Sequence, residues 1–159
     1  MKNMKNTNNI VITYGTFDLF HIGHLNLLKR LKELGDYLIV AVSTDEFNAG
    51  KEKQTIVPFA DRIEIVRNIK YVDMAIPEAS WAQKVSDIKQ YGVSTFGMGH
   101  DWEGKFDELK EHCEVVYLPR TPNISSTDVK KLLKVLDRSH VADLKQALDL
   151  ISSIVGRFE

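Results

Sequence analysis

Cysteine is nearly absent from this 159-residue sequence: Cys113 stands alone, which excludes an internal disulfide. Its place beside the apolar run EVVYLP predicts a reduced, structural thiol. A strong charge of either sign is also missing, because 21 lysines and arginines face 22 aspartates and glutamates. This balance gives no electrostatic case for nucleic acid or for an anionic membrane. Any anionic ligand must therefore be held by a local cluster of positive groups.

Long hydrophobic runs are missing as well. The longest, such as LIVAV, are far shorter than a membrane span, and the N-terminal arm MKNMKNTNNI leads into no apolar region of the kind that a signal peptide needs. We therefore expect a cytoplasmic protein without membrane insertion. The hydrophobic fraction of 43% is typical of globular domains, and the length suffices for one domain with its own core.

Short β-branched runs alternate along the chain with stretches of helical periodicity. The predicted strands are residues 10–14, 37–43, 72–76, 95–98 and 114–118. The predicted helices are residues 21–34, 59–69, 80–91 and 105–112. This alternation is typical of an α/β fold, with a parallel sheet and helices on both of its faces.

Two connections between these elements are unusual. The segment STDEFNAGKEKQTIVPF is long and polar for a strand-to-helix loop, which predicts a mobile flap over a ligand. The connection LPRTPNISSTDVKKLL passes two prolines and enters a helix behind a run of hydroxyls, where Ser125 with Asp128 resembles a capping box. A helix N-terminus, which favours anions, is therefore expected at this run.

A further helical unit, RSHVADLKQALDLISSIVGRFE, follows Asp137 and sets the predicted domain limits at 1–137 and 138–159. Its apolar residues follow the 3,4,3,4,3 spacing of a coiled-coil seam and are Val141, Leu144, Leu148, Ile151, Val155 and Phe158. The repeat is short for a coiled coil. An extra helix packed on its own domain, self-association and docking to a partner therefore all remain open.

Two of the five histidines, His21 and His24, lie within the four residues HIGH, directly after the first predicted strand. At i and i+3 in the first turn of a helix, they project from one face beside backbone N–H groups that have no intrahelical partner. This arrangement favours an anion, and Gly23 between them lets a ligand approach the backbone closely. No metal site is predicted, because neither H-E-x-x-H nor paired cysteines occur. Walker A and G-x-G-x-x-G loops are also absent, so a phosphate site of another kind is expected.

The stretch GTFDLFHIGH resembles the HxGH signature of the nucleotidyltransferase superfamily, and RTPNISST resembles its second signature. The blocks STDEFN, YVDMAIPE, MGHDWEGKFD and EVVYLPRT are similar to those of one cytidylyltransferase family, the glycerol-3-phosphate cytidylyltransferases. The resemblance covers about residues 10–136. It implies a Rossmann-like sheet and a homodimer.

This resemblance implies that CTP and sn-glycerol 3-phosphate give CDP-glycerol and pyrophosphate, with Mg²⁺ bound to CTP. The product would serve teichoic-acid-like or capsular glycerol-phosphate polymers. The attacking phosphate is already ionised, so no general base is needed, and the enzyme positions the reactants and stabilises charge. Alternatives are another phosphorylated acceptor, such as ethanolamine, choline or polyol phosphate, ATP instead of CTP, and a non-catalytic nucleotide-binding interaction module.

The resemblance also implies roles for single residues. The predicted catalytic residues are His21, His24, Lys51, Arg120 and Ser126. The two histidines also belong to the predicted nucleotide site, whose other members are Thr16, Phe17, Asp18, Gly23, Lys53, Arg62, Asp101, Arg120, Thr121, Ile124, Ser125, Ser126 and Thr127. The predicted acceptor site consists of Lys51 and Lys84. Histidines suit the α- and β-phosphates because they donate hydrogen bonds, more strongly when protonated.

Three features depart from the family pattern. Asn123 stands where the superfamily often has glycine, and Ser126 replaces a common threonine but keeps its hydroxyl. Lys70 stands where arginine is expected, which removes a planar bidentate donor and would affect the preference for base or acceptor. The C-terminal helix lies outside the pattern.

Overall fold

The computed structural model describes residues 9–134 and 138–155. They divide into two compact units, of which the first ends at Ile124 and the second begins at Ser125. This division falls earlier in the chain than the predicted domain limit at residue 137, which lies outside the described residues together with Phe158 of the predicted seam. Among the described helices, none combines the length and the apolar character that crossing a bilayer demands.

The first unit is an α/β fold built on five parallel strands. They are β1 (Ile10–Gly15), β2 (Tyr37–Ser43), β3 (Met74–Glu78), β4 (Thr95–Gly99) and β5 (Glu114–Leu118). Their order in the sheet is β3-β2-β1-β4-β5, and every pairing is parallel. The predicted parallel sheet is therefore confirmed. Ligands of such open sheets bind beyond the carboxyl ends of the strands where the strand order reverses, which here lies between β1 and β4.

The strand β3 begins and ends two residues later than predicted. It includes Pro77, which has no N–H to donate. For this reason the predicted strand ended at the residue before the proline. A proline is tolerated because β3 lies at the edge of the sheet and pairs only with β2 among the described strands.

Four α-helices connect the strands of the first unit. They are α1 (Ile22–Lys32), α2 (Asp45–Gly50), α3 (Phe59–Arg67) and α4 (Gln83–Tyr91). The sequence analysis missed α2, whose N-cap Thr44 accepts a hydrogen bond from the backbone of Phe47. The predicted helix over 105–112 is wrong, because this segment holds a 3₁₀ helix at Asp107–Glu111. Its buried residues Phe106 and Leu109 are three apart, as 3₁₀ geometry requires.

The core has two layers, one on each face of the sheet. Alternate residues of β2 enter different layers: Ile39 belongs to one and Leu38 to the other. The first layer includes Ile88 of α4, and the second includes Leu28 of α1 and Val66 of α3. The helices therefore cover both faces, as predicted.

The second unit contains two helices, α5 (Ser126–Lys134) and α6 (Arg138–Val155). The hydroxyl of Ser125 accepts a hydrogen bond from the N–H of Asp128 at 3.1 Å, which confirms the predicted helix start. The described seam residues of α6 are between 55% and 67% exposed.

Candidate active site

The two histidines of the HIGH sequence cap the helix that follows β1. His21 is the N-cap of α1, and its Nδ1 accepts a hydrogen bond from the N–H of Gly23 at 3.0 Å. In return, Nδ1 of His24 accepts from the N–H of His21 at 3.3 Å. This is a capping box made by two imidazoles, and it gives partners to two backbone donors of the first turn.

The capping bonds fix the tautomer of both rings. Because each Nδ1 accepts a hydrogen bond, the proton of the neutral ring lies on Nε2, which becomes a hydrogen-bond donor. Burial, together with the charges of His21 and Lys53, lowers the pKa of His24 to about 3. Burial and Arg120 lower the pKa of His21 as well. Both rings are therefore neutral Nε2–H donors at neutral pH.

The rings of His21 and His24 are stacked, with centroids 3.9 Å apart and planes inclined by 17°. Gly23 makes this arrangement possible. A Cβ at Gly23 would lie 2.8 Å from Cε1 of His21 and 3.3 Å from Cγ2 of Ile124. The glycine therefore leaves room for the capping ring, and the close approach of a ligand to its backbone remains a prediction.

Thr16 and Phe17 follow β1 and support the histidine pair. The ring of Phe17 meets His24 edge to face, with centroids 5.4 Å apart. This contact comes from a strained backbone, since φ of Phe17 is +53°. The hydroxyl of Thr16 donates to the side chain of the buried Asn48 at 3.1 Å. Thr16 thus bonds to Asn48 and Phe17 packs on His24, and the contacts of both residues with a nucleotide remain a prediction.

Asp18, predicted to contact the nucleotide, is a buried anchor in this structure. Its carboxylate is 2% exposed and accepts hydrogen bonds from the N–H groups of Leu19, Ile56 and Val57 at 3.1, 2.8 and 2.9 Å. Two of these donors belong to the segment predicted to be a mobile flap. Asp18 therefore connects the turn after β1 to the loop before α3.

The segment between β2 and α3 is anchored by hydrogen bonds in its first and last parts, and its role as a mobile flap over a ligand remains a prediction. Its first part is α2, and the backbone carbonyl of Asn48 accepts from the N–H groups of Lys51 and Lys53 at 3.0 and 2.9 Å. Its last part is held by Asp18 and by Asp45, which accepts from the N–H of Phe59 at 2.9 Å. The buried polar groups thus give the two predicted lysines fixed backbone positions.

Arg62 is only 1% exposed and uses four of its five N–H donors within the protein. Nε donates to the carbonyl of Val57 at 2.8 Å, and Nη1 donates to the carbonyls of Thr16 and Ser43 at 2.6 and 2.8 Å. Nη2 forms an ion pair with Asp45 at 2.6 Å. Arg62 therefore joins the carboxyl ends of β1 and β2 to α3, and its contact with a phosphate remains a prediction.

The two lysines predicted for the acceptor share one buried carboxylate. Nζ of Lys84 donates to Oε1 of Glu78 at 2.7 Å, and both side chains are less than 5% exposed. The other oxygen of Glu78 accepts from the hydroxyl of Ser43, which lies 3.5 Å from Nζ of Lys51. Burial lowers the pKa of Lys51, and the charge of Glu78 opposes this change. Sequence reasoning missed Glu78 and Ser43, although each is the last residue of a strand at the ligand-binding edge.

Aromatic rings surround the same lysines. Nζ of Lys84 lies 4.4 Å from the ring centroid of Tyr14 and 4.7 Å from that of Trp81. Nζ of Lys51 lies 4.0 Å from the centroid of Phe47 and 5.2 Å from that of Trp81. Such contacts stabilise a cation that has left bulk water. The rings therefore help to keep two ammonium groups charged close to one another.

Asp101 and Arg120 follow β4 and β5, at the other side of the point where the strand order reverses. They form an ion pair at 3.4 Å, and both side chains are about half exposed. An exposed pair of this kind adds little to stability, so Arg120 can exchange its partner for a phosphate at small cost. Thr121 accepts from the side chain of Asn26 in α1 at 3.3 Å, which brings this loop to the helix of the histidines.

The remaining predicted residues, Ser125, Ser126 and Thr127, lie in the second unit at the N-terminal end of α5. Ser125 caps this helix, and Ser126 is its first residue. Asn123, just before them, has φ of +65°, a left-handed conformation that asparagine and glycine tolerate best. This conformation explains why asparagine can replace the glycine of the superfamily pattern.

Comparisons with known proteins identify the family of this chain. Residues 12–132 match the model of the cytidylyltransferase-like family. Glycerol-3-phosphate cytidylyltransferase from Bacillus subtilis is 58% identical over 76% of this chain and 94% of its own length. The enzyme of the same name from Staphylococcus aureus is 54% identical over 77% of this chain and 93% of its own length.

Among solved structures, a lipopolysaccharide core biosynthesis protein from Thermoplasma volcanium is similar with a TM-score of 0.63 and 25% identity. The similarity covers 72% of this chain and 98% of that protein. The sheet is thus Rossmann-like, as the sequence resemblance implied. By its sequence, its fold and the pair of histidines that caps α1, the chain belongs to the cytidylyltransferase-like family and, within it, to the glycerol-3-phosphate cytidylyltransferases.

Proposed function

We propose that this chain transfers the cytidylyl group of CTP to sn-glycerol 3-phosphate and releases pyrophosphate. An oxygen of the acceptor phosphate forms a bond with the α-phosphorus, and the bond from that phosphorus to the bridging oxygen of the β-phosphate breaks. The observation that carries this proposal is the stacked pair His21 and His24, a pair of Nε2–H donors at the reversal point of the sheet. The relatives named above support the choice of CTP and glycerol 3-phosphate.

The histidines act as donors to the phosphates and take up no proton from the acceptor. Their low pKa values keep the rings neutral, and their hydrogen bonds strengthen as negative charge develops on the leaving pyrophosphate. The protein thus contributes position and charge stabilisation, which is most of what phosphoryl transfer requires. Replacement of either histidine by alanine should lower kcat by about 100-fold or more, with a smaller effect on the binding of CTP.

The other residues of the site divide between the two substrates. Lys51 and Lys84 bind the phosphate of the acceptor. Lys53 and Arg120 add positive charge for the triphosphate, whose other ligands we propose to be Thr121, Ser125, Ser126 and Thr127. Asp101 binds the ribose once a phosphate has taken its place beside Arg120.

Magnesium enters the reaction with the nucleotide in this proposal. Within residues 9–134 and 138–155, no group of three or more His, Cys, Asp and Glu side chains could hold a metal ion. The family resemblance implies that Mg²⁺ arrives bound to CTP, and the protein contacts proposed above go to the phosphates, the ribose or the acceptor.

We also propose a cytoplasmic homodimer, because CTP is available there and the family resemblance implies two copies. The seam of α6 is suited to bind a second copy, since a heptad repeat pairs best with another heptad repeat. Size measurement of the full chain and of a variant with Leu144 and Leu148 replaced by glutamate tests this assignment. Equal masses for both proteins would remove the seam from self-association.

The central experiment measures pyrophosphate release by the purified chain with Mg²⁺. It compares CTP with ATP, and sn-glycerol 3-phosphate with the phosphates of ethanolamine, choline and other polyols. We expect release to require CTP and glycerol 3-phosphate. Release with a different acceptor alone would keep the mechanism and replace the product, and no release with any pair would contradict the proposed activity.

A further inference from the structure

Glu78 is not among the residues predicted to touch a substrate, yet it connects the two acceptor lysines. It ends β3, and its side chain is 2% exposed. One carboxylate oxygen accepts from Nζ of Lys84, and the other accepts from the hydroxyl of Ser43. The same hydroxyl lies 3.5 Å from Nζ of Lys51. One buried anion thus serves two cations, directly and through a hydroxyl.

The lysines need this anion because their surroundings disfavour positive charge. Lys84 is 3% exposed, and an ammonium so deeply buried is costly without a charged partner. Lys51 is partly buried, and Lys53, Lys84 and Arg62 add further positive charge to its surroundings. Asp45 is paired with Arg62, which leaves Glu78 as the carboxylate that supports Lys51.

We propose that Glu78 is a positioning residue of the acceptor site, which holds the ammonium of Lys84 directly and that of Lys51 through Ser43. The inference rests on the proposed function. Two ammonium groups and one carboxylate leave a net charge of one positive unit, which suits a single phosphate monoester. The side chain also fixes the distance between the cations, so that they act on the same phosphate.

The pH dependence of acceptor binding follows from these contacts. The groups that act on Lys51 are Glu78 on β3, Lys84 on α4, Arg62 on α3 and Lys53 in its own loop, and Glu78 is the anion among them. Replacing Glu78 by a neutral residue removes this negative charge and therefore lowers the pKa of Lys51 further. Affinity for the acceptor is then lost at a lower pH, because Lys51 binds phosphate only while it is protonated.

The test is Glu78→Gln, which keeps the size and an oxygen acceptor for Lys84. We expect the KM for glycerol 3-phosphate to rise about 10-fold or more, with the KM for CTP within about 2-fold of the wild type. The alkaline limb of kcat/KM for glycerol 3-phosphate should move about one pH unit lower. Ser43→Ala leaves the buried pair intact and should raise the same KM about 3-fold, which tests the inference even if Glu78→Gln does not fold.

Asp87→Asn is the matched control. Asp87 is a buried carboxylate on α4 that accepts from the hydroxyl of Tyr14 at 2.8 Å, and it does not contribute to the pKa shift of Lys51. Its loss should leave the alkaline limb in place. A folded Glu78→Gln variant with an unchanged acceptor KM, an equal rise of both KM values, or an unmoved alkaline limb would overturn the inference. If the proposed function is wrong, the wild-type chain itself releases no pyrophosphate, and this result is distinct from the outcomes for the variants.

Discussion

The replacement Gly23→Ala adds one methyl group and removes no chemical group from the site, yet it should lower kcat about 100-fold. The new Cβ would lie 2.8 Å from Cε1 and 2.9 Å from Nδ1 of His21. Ordinary carbon contacts need about 3.5 Å or more, so the imidazole has to move by roughly 0.7 Å. This movement breaks the hydrogen bond from the N–H of Gly23 and separates the stacked rings.

The effect on stability should be small, because two contributions oppose each other. Alanine in place of glycine within a helix gains about 1 kcal/mol, and the lost N-cap bond costs about 1 kcal/mol. The effect on turnover has no such compensation. When a hydrogen-bond donor is displaced by about 1 Å, the reaction rate falls about 100-fold. This decrease corresponds to about 2.7 kcal/mol of transition-state stabilisation.

Pyrophosphate release at saturating CTP and glycerol 3-phosphate measures this change, and a urea titration measures the free energy of unfolding. Gly50→Ala is the matched control, since Gly50 ends α2 and a Cβ there meets nothing within 4 Å. We expect Gly23→Ala to lower kcat about 100-fold with unfolding unchanged to within about 1 kcal/mol, and Gly50→Ala to lower neither. A kcat for Gly23→Ala within 3-fold of the wild type would refute the idea that the capped ring of His21 supplies the catalytic donor.

Three further predictions concern charge. The pKa of His24 is lowered from 6.5 to about 3, so protonation favours the unfolded chain, and the free energy of unfolding should fall by about 4 kcal/mol between pH 6.5 and 3. Urea titrations of the wild type and of His24→Asn check this, because the variant should lose most of the slope. Lys51→Ala should raise the KM for glycerol 3-phosphate and leave the KM for CTP nearly unchanged, with the exposed Lys29→Ala as control; equal shifts in both KM values would contradict the assigned role. Asp18→Asn keeps the shape and one acceptor oxygen but sets an NH2 group against at least one of the three backbone N–H donors, so it should cost about 2 kcal/mol or more of unfolding free energy. An unchanged free energy of unfolding would show that the loop before α3 does not depend on this anchor.

The sheet could be predicted well because its strands are short apolar runs between turn signals. The strands over 37–43 and 114–118 have the predicted limits, since a buried parallel strand is marked by its own hydrophobicity. The errors fall where local signals are weak or in conflict. The proline at position 77 made the predicted edge strand end too early, and α2 is only 6 residues long. Phe106 and Leu109 lie three residues apart in a 3₁₀ helix, a spacing that also occurs in α-helices.

The sequence by itself determined the family and the place of the histidines, because HIGH after a buried strand is a local pattern that needs no partner from elsewhere. Only the tertiary structure decided what the distant polar residues do. Asp18 meets its backbone donors 38 and 39 positions away, and Arg62 meets the carbonyl of Thr16 46 positions away. Glu78 and Ser43 come together because parallel strands end at the same edge of the sheet. Contacts of this kind depend on the tertiary fold, which brings distant residues together. The spacing of residues along the sequence does not indicate them.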